Sequence, residues 1–334
     1  MDVLSNAALE GGAVTRAERA GRTLSRVASV DVARGVAVVA MAIYHGAWDL
    51  SEVRLIATEV IVEPGWRAFA RMVASSFLTL VGIGLVLGHP DGIRWRAFGR
   101  RLLTVAGAAL VVTIATMVAF PDSFIFFGIL HAIALASVLA LPLIGRPAPL
   151  AALAAALVFA APLVLVQPIF DAPILAFLGL GTRIPNTNDW VPVFPWAGFV
   201  FAGVAAAKLA QPMLARLGSA HPMPAPARAL AWLGRHSLVI YLLHQPLLFG
   251  AAYGLVALAG PNPEAVTAPF RRSCAASCRE TGAPEAICRQ TCDCTVAGLK
   301  AAPVWPSVQK GRLRPDEQMQ VGDIARACFR QAQP

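Results

Sequence analysis

Four ionisable residues, Asp31, Arg34, His45 and Asp49, lie in one otherwise apolar stretch, SVDVARGVAVVAMAIYHGAWDLS (29–51). On a helix turning about 100° per residue, His45 falls about 20° from Arg34, and both aspartates fall about 60° from it. All four therefore share one narrow stripe. Asp31 and Arg34 are one turn apart and can pair; a buried structural ion pair with interfacial snorkelling explains them as well as a functional role does. His45 fits that account less well. It lies deeper in the apolar run with a carboxylate one turn away. An imidazole titrates near neutral pH, and an adjacent carboxylate can orient it and stabilise its protonated form. Together they have the parts needed to move a proton. Ionisable groups inside a membrane segment normally face a cavity and mark function.

Other apolar segments carry similar groups. FIFFGILHAIALAS holds His131 about two turns in, at much the depth expected of His45. NTNDWVPVFPWAG places Asp189, Trp190 and Trp196 at the rim of the next segment but one. Interfacial anchoring alone accounts for the tryptophans. WLGRHSLVIYLLHQPLLFG brings Arg235, His236 and Ser237 to one end and Tyr241, His244 and Gln245 to mid-depth. Pro246 has no amide proton, so a kink there frees the carbonyl of Leu242. Polar groups beside such a kink fit a water-lined cavity; interhelical hydrogen bonding is the competing account, stronger for Gln245 than for His244.

The elements that must position these groups are membrane helices. Of 334 residues 57% are hydrophobic and only 14% charged, where a soluble domain has about a quarter charged. Seven apolar runs of bilayer length can be read, roughly 30–50, 68–88, 102–120, 124–145, 148–167, 190–208 and 232–257. The stretch 170–181 is too short to cross and reads as an interfacial or re-entrant piece. No secretory signal peptide is expected ahead of the first run. Arg16, Arg19, Arg22 and Arg26 precede the first run. Arg94, Arg96, Arg100 and Arg101, then Arg146, then Lys208, Arg216 and Arg228 fall in alternate loops, against Arg54, Arg67 and Arg183 on the opposite side. Positive loops stay in the cytoplasm. The expectation is an integral inner (plasma) membrane protein with its N-terminus inside and its C-terminal tail outside. The fold class is all-α: a polytopic bundle (28–258), a polar cytoplasmic arm (1–27) and a small helical tail (259–334). The net charge of +9 is spread over loops, so it is no nucleic-acid signal. Homo-oligomerisation is left open.

All six cysteines, Cys274, Cys278, Cys288, Cys292, Cys294 and Cys328, lie in that tail. An even number in a small polar segment suggests disulfides in an oxidising compartment, which agrees with a tail outside. The pattern is C-x3-C, nine residues, C-x3-C. Cysteines four apart share a helix face, so two helices joined at TGAPE (281–285) form a hairpin whose outer pair, Cys274–Cys292, and inner pair, Cys278–Cys288, can bridge. Cys294 and Cys328 remain as a third pair. The hairpin resembles the twin C-x3-C hairpins of small intermembrane-space chaperones. A zinc site uses paired cysteines as well and is the alternative.

Taken in order, the motifs resemble a known family. ASVDVARGVAVVAMAIYH looks like the first-span signature of membrane-bound acyltransferases, with Arg34 and Gly35, ten residues between arginine and histidine, and His45; the acyltransferase-3 family shares it. FLTLVGIGLVL (77–87), FGILHAIAL (127–135), DWVPVFPWAGFVFAG (189–203) and LGRHSLVIYLLHQPLLFG (233–250) resemble the bacterial family related to heparan-α-glucosaminide N-acetyltransferase, over about residues 24–257. The resemblance implies acyl transfer, an acetyl group above all, from cytoplasmic acyl-CoA as co-substrate to an amine or hydroxyl of a glycan or lipid on the other side, without a metal. It implies His45 as the leading catalytic residue, as base or nucleophile, with Asp49 orienting it and His131 as a second candidate for acid or oxyanion stabilisation. Arg34, Arg235 and His236 are then candidates to meet CoA phosphates. Asp189, Trp196, Tyr241, His244 and Gln245 are candidates to line the acceptor site, and Asp31 is structural. Two other classes fit the same residues: a transporter or sensor with a polar cavity and no chemistry, and a haem carrier. Against haem, His236 and His244 are about 12 Å apart along one helix.

Overall fold

The structure, a computed structural model, describes residues 3–216, 223–309 and 312–333, with side chains for 28–210, 223–309 and 312–333. The side chains of Arg16, Arg19, Arg22, Arg26 and Arg216 lie outside the described residues. The described chain is helical, with one isolated parallel bridge between Phe127 and Trp190. Its helices are α1 (Val3–Glu52), α2 (Pro64–Gly88), α3 (Trp95–Ala119), α4 (Ile129–Ile144), α5 (Ala148–Val164), α6 (Val193–Arg216), α7 (Ala225–Arg235), α8 (Ser237–Ala259), α9 (Pro263–Glu280), α10 (Glu285–Ala301), α11 (Trp305–Gln309) and α12 (Pro315–Ala332).

Among the described residues, five helical stretches are long and apolar enough to cross a membrane: Ala28–Glu52, Pro64–Gly88, Trp95–Ala119, Val193–Ala210 and Ser237–Ala259. Two shorter apolar helices, Ile129–Ile144 and Ala148–Val164, complete the seven apolar segments. This is an integral membrane protein. Its helices follow the apolar runs because a lipid-exposed backbone must satisfy its own hydrogen bonds. The last run differs in detail from the sequence expectation. The chain breaks at His236, so α7 is a separate short helix and only α8 is a full span. α8 also continues through Pro246 without interruption. The 170–181 stretch forms two short 3₁₀ turns, Pro168–Asp171 and Ala176–Leu178, and no eighth span. It is held by Asp171, whose carboxylate accepts from the Thr182 amide (2.7 Å), the Thr182 hydroxyl (2.6 Å) and the Arg183 amide (3.0 Å). These bonds keep that carboxyl below its usual range.

The chain divides into two compact units: Met1–Ile43 with Ala68–Pro246, and Tyr44–Arg67 with Leu247–Pro334. In the first, α6 packs against α4 and α5, and α4 against α3. Leu78, Leu85, Val200 and Val204 are fully buried in its main core. Helix backbones meet where side chains are absent. A Cβ on Gly82 would strike the Val200 carbonyl, and one on Gly203 the Thr79 carbonyl. α2 and α6 can therefore touch only because both positions are glycine. α1 and α7 cross the same way, Gly35 against Leu230 and Gly234 against Asp31.

In the second unit α9, α10 and α12 form a small helical assembly. Three disulfides tie it, Cys274–Cys292, Cys278–Cys288 and Cys294–Cys328, with Cα–Cα distances of 5.8, 5.6 and 5.7 Å. The first two are the pairings read from the hairpin, and the third joins the two cysteines that remain. All six cysteines are paired in this way, which fits disulfides rather than a zinc site, and Leu299 and Thr295 supply a fully buried centre.

Candidate functional site

At the end of the first unit that carries Asp31, two arginines meet one carboxylate and a third lies near one of them. Arg34 Nη1 lies 3.2 Å from Asp31 Oδ1, a pairing that the i,i+3 spacing on α1 provides. Arg235 Nη1 lies 4.0 Å from Asp31 Oδ2, brought there because α7 presses its backbone onto α1 at Gly234. Asp31 is buried, with a side chain only 6% exposed; Arg34 is 26% and Arg235 53% exposed. The third is Arg101, from α3. Its Nη1 and the Nη2 of Arg34 both approach Gly84 of α2, where a Cβ would displace the Arg34 guanidinium and touch that of Arg101. Arg101 also lines a small cavity with Leu85, Phe98, Ile133 and Ser137. Among the described residues it has no ion-pair partner, and the charge of Arg34 acts on it. His236 stands apart from this cluster. Its ring packs on Trp232 at 4.5 Å and its Nδ1 donates to the Trp232 carbonyl at 2.8 Å.

A second group surrounds the first turn of α4. Residues 186–191 run beside 122–127. Asn188 N–H donates to Ser123 O (2.9 Å), Thr187 Oγ1 to Phe124 O (2.8 Å) and Val191 N–H to Phe127 O (3.1 Å). This pairing delivers Asp189 onto the helix end, where its Oδ2 accepts from Ile129 N–H at 2.9 Å. A carboxylate there meets the positive end of the helix dipole. Burial outweighs that benefit and pushes the Asp189 carboxyl up to about 6.

His131, two residues on, has both ring nitrogens engaged. Gly128 N–H donates to Nδ1 at 3.2 Å. Thr113 Oγ1 donates to Ile125 O at 2.7 Å, so at 3.3 Å it accepts from His131 Nε2. These partners assign the neutral Nε2–H tautomer. Tyr241 packs against Leu130 and Ala108 and lies within electrostatic reach of Asp189. His244 follows it, with Nδ1 2.6 Å from the Tyr241 carbonyl and its ring 5.6 Å from the Tyr241 ring. His131, Asp189, Tyr241 and His244 thus converge. Gln245 adjoins His244 and is partly buried. Trp196 packs on Phe199 at 5.8 Å against the main core.

His45 and Asp49 belong to the second unit. Asp49 is buried at 1% exposure and His45 is half-buried. The Tyr44 ring meets the rings of His45 (5.4 Å) and Trp66 (6.3 Å). His45 and Asp49 both lie on α1.

The sequence pattern puts Arg101 in a basic loop, whereas it lies inside α3. Its position next to the apolar run of that helix was the available signal. Lys208 reads as a loop charge in the sequence, whereas its Nζ donates to the Ile144 carbonyl at 2.5 Å and closes the other end of α4. Thr113 carried no sequence signal.

Residues 26–246 match a family model described as heparan-alpha-glucosaminide N-acetyltransferase, catalytic. No curated protein and no solved structure matches the chain.

Proposed function

The chain belongs to the heparan-α-glucosaminide N-acetyltransferase catalytic family, and from that premise we propose that it moves an acyl group, acetyl above all, from cytoplasmic acyl-CoA to an amine or hydroxyl of a glycan or lipid on the other side of a plasma membrane. The observation that carries the donor half is the Asp31 cluster. Two guanidinium groups share one carboxylate there, and the charge of a third, Arg101, acts on Arg34. The positive charge there exceeds that of the one buried carboxylate, and an anion that joins the guanidinium groups would balance it. The phosphates of CoA are such an anion, and guanidinium groups bind them bidentately. Arg34 and Arg235 are the contacts, with Arg101 behind them; His236 is the weaker candidate.

His45 takes the proton of the acceptor amine or hydroxyl as the new acyl bond forms and the carbon–sulfur bond of the thioester breaks; the proton then passes to the leaving CoA thiolate. Asp49, one turn away, orients the imidazole and stabilises its protonated form. His131 presents an Nε2–H to Thr113, and an oxyanion displacing that hydroxyl would receive the same donor. Asp189, Tyr241, His244, Gln245 and Trp196 line the acceptor side.

The test is incubation of purified protein with labelled acetyl-CoA, together with membrane lipid and glycan extracts. Label should reach an extract component or the protein itself, and His45→Ala should lower transfer by about 10²–10⁴-fold while the protein stays folded. Near-normal turnover in His45→Ala would show that residue to be structural.

A further inference from the structure

The family match ends at residue 246, so it leaves the disulfide-tied tail without a role. Within the second unit that tail grips the segment on which α1 ends. α1 closes with the bond pattern of a left-handed cap: Leu55 N–H donates to Leu50 O at 2.9 Å, and Arg54 N–H to Ser51 O at 3.1 Å. The residue in the left-handed position is Arg54, at φ 60°. Glycine is favoured there and an arginine is strained, so surrounding contacts must hold it. The tail supplies them. Asn262 N–H donates to the Arg54 carbonyl at 2.9 Å, and the Asn262 side-chain amide reaches the Leu55 carbonyl at 3.5 Å. Arg272 Nη2 lies 2.6 Å from Glu59, whose carboxylate also lies 4.0 Å from Arg54. Val60, next to Glu59, is fully buried. Arg272 stands two residues before Cys274, which is bridged to Cys292.

We infer that the tail is a positioning element for the His45–Asp49 end of α1, with Arg272 and Asn262 as positioning residues. Asp49 sits in the last turn of α1, and its carbonyl accepts from Val53 N–H at 3.0 Å, next to Arg54. A frayed cap therefore loosens the turn that sets the carboxylate beneath His45. The disulfides keep α9 rigid enough to hold the strained residue, and this makes transfer dependent on an oxidised tail. The kinetic part of this inference rests on the acyl-transfer reading; the structural part does not.

The experiment is amide hydrogen exchange and steady-state kinetics on the full-length protein in detergent, with bridged cysteines counted by mass. Arg272→Gln should raise exchange across residues 50–62 by about fivefold. It should lower kcat and leave the donor KM unchanged, with all three disulfides intact. Arg272→Lys should recover most of both losses. Arg54→Gly removes the strain, so in that background Arg272→Gln should have little effect. Glu59→Gln breaks the same contact from the α1 side without altering the tail, and it decides the matter if Arg272→Gln fails to form its bridges. Wild-type exchange in Glu59→Gln, with disulfides formed, overturns the inference. A wild-type protein that transfers no acyl group defeats the acyl-transfer reading alone, since the exchange result stands without it.

Discussion

Asp189 accepts the backbone N–H of Ile129 at 2.9 Å, while Lys208, at the far end of the same α4, donates to the Ile144 carbonyl. Both come from the segment that leads into and forms α6. A carboxylate at the N-terminus and an ammonium at the C-terminus oppose the helix dipole at both ends. α4 is only 16 residues long, and these two contacts fix its position in the first unit, and with it that of His131.

The Asp189 contact makes stability depend on pH. Its carboxyl is raised from 3.8 to about 6 by burial. A raised pKa means the folded state favours the protonated form. The stabilisation it contributes is full below about 3.8 and is lost as pH rises through about 6. Thermal unfolding in detergent should therefore show wild type losing more stability between pH 4 and pH 7 than Asp189→Asn, which cannot ionise. Parallel curves would mean that Asp189 titrates normally.

Asp31 has two arginine partners, which changes what their removal should do. Arg34→Ala leaves Asp31 near Arg235, so it should cost less stability than Arg34→Ala combined with Arg235→Ala, where a buried carboxylate loses both partners. That loss should be about 3–5 kcal/mol. Each single change should raise the donor KM by about tenfold if the guanidinium groups meet phosphate. Asp31→Asn with Arg34→Gln separates the causes: folding should recover while the donor KM stays high. Recovery of full donor affinity would reduce Arg34 to an ion-pair partner.

The α2–α6 crossing should tolerate no side chain. A Cβ at Gly82 lands on the Val200 carbonyl, and neither backbone can yield without parting the helices. Gly82→Leu should destabilise by about 3 kcal/mol or more. Gly88→Ala, where nothing lies within 4 Å of the new atom, should stay within about 0.5 kcal/mol of wild type. Similar melting temperatures for both variants would show that α2 and α6 do not meet at Gly82.

A tail on the outer side predicts the pattern of thiol labelling. With three bridges and no free cysteine, an impermeant reagent should label intact cells only after reduction, and then at all six positions. Labelling that needs permeabilised cells and no reductant would put the tail in the cytoplasm.

The sequence alone determined whatever short-range periodicity controls. Apolar runs specified the membrane helices because a bilayer rewards length and apolarity regardless of what each helix touches. The i,i+3 spacing paired Asp31 with Arg34, and the twin C-x3-C spacing pointed to the hairpin pairings, because both depend on the pitch of one helix or two adjoining ones. Tertiary structure decided the rest. Arg235 reaches Asp31 only because glycines let α1 and α7 touch, and Asp189 reaches α4 only because residues 186–191 lie along 122–127. Both nitrogens of His131 are engaged only because α3 brings Thr113 alongside. Arg54 adopts its left-handed turn against the tail contact of Asn262, more than two hundred residues later. Such contacts depend on how helices cross and where loops return, and a periodic pattern records which face of a helix is apolar without recording which neighbour meets it.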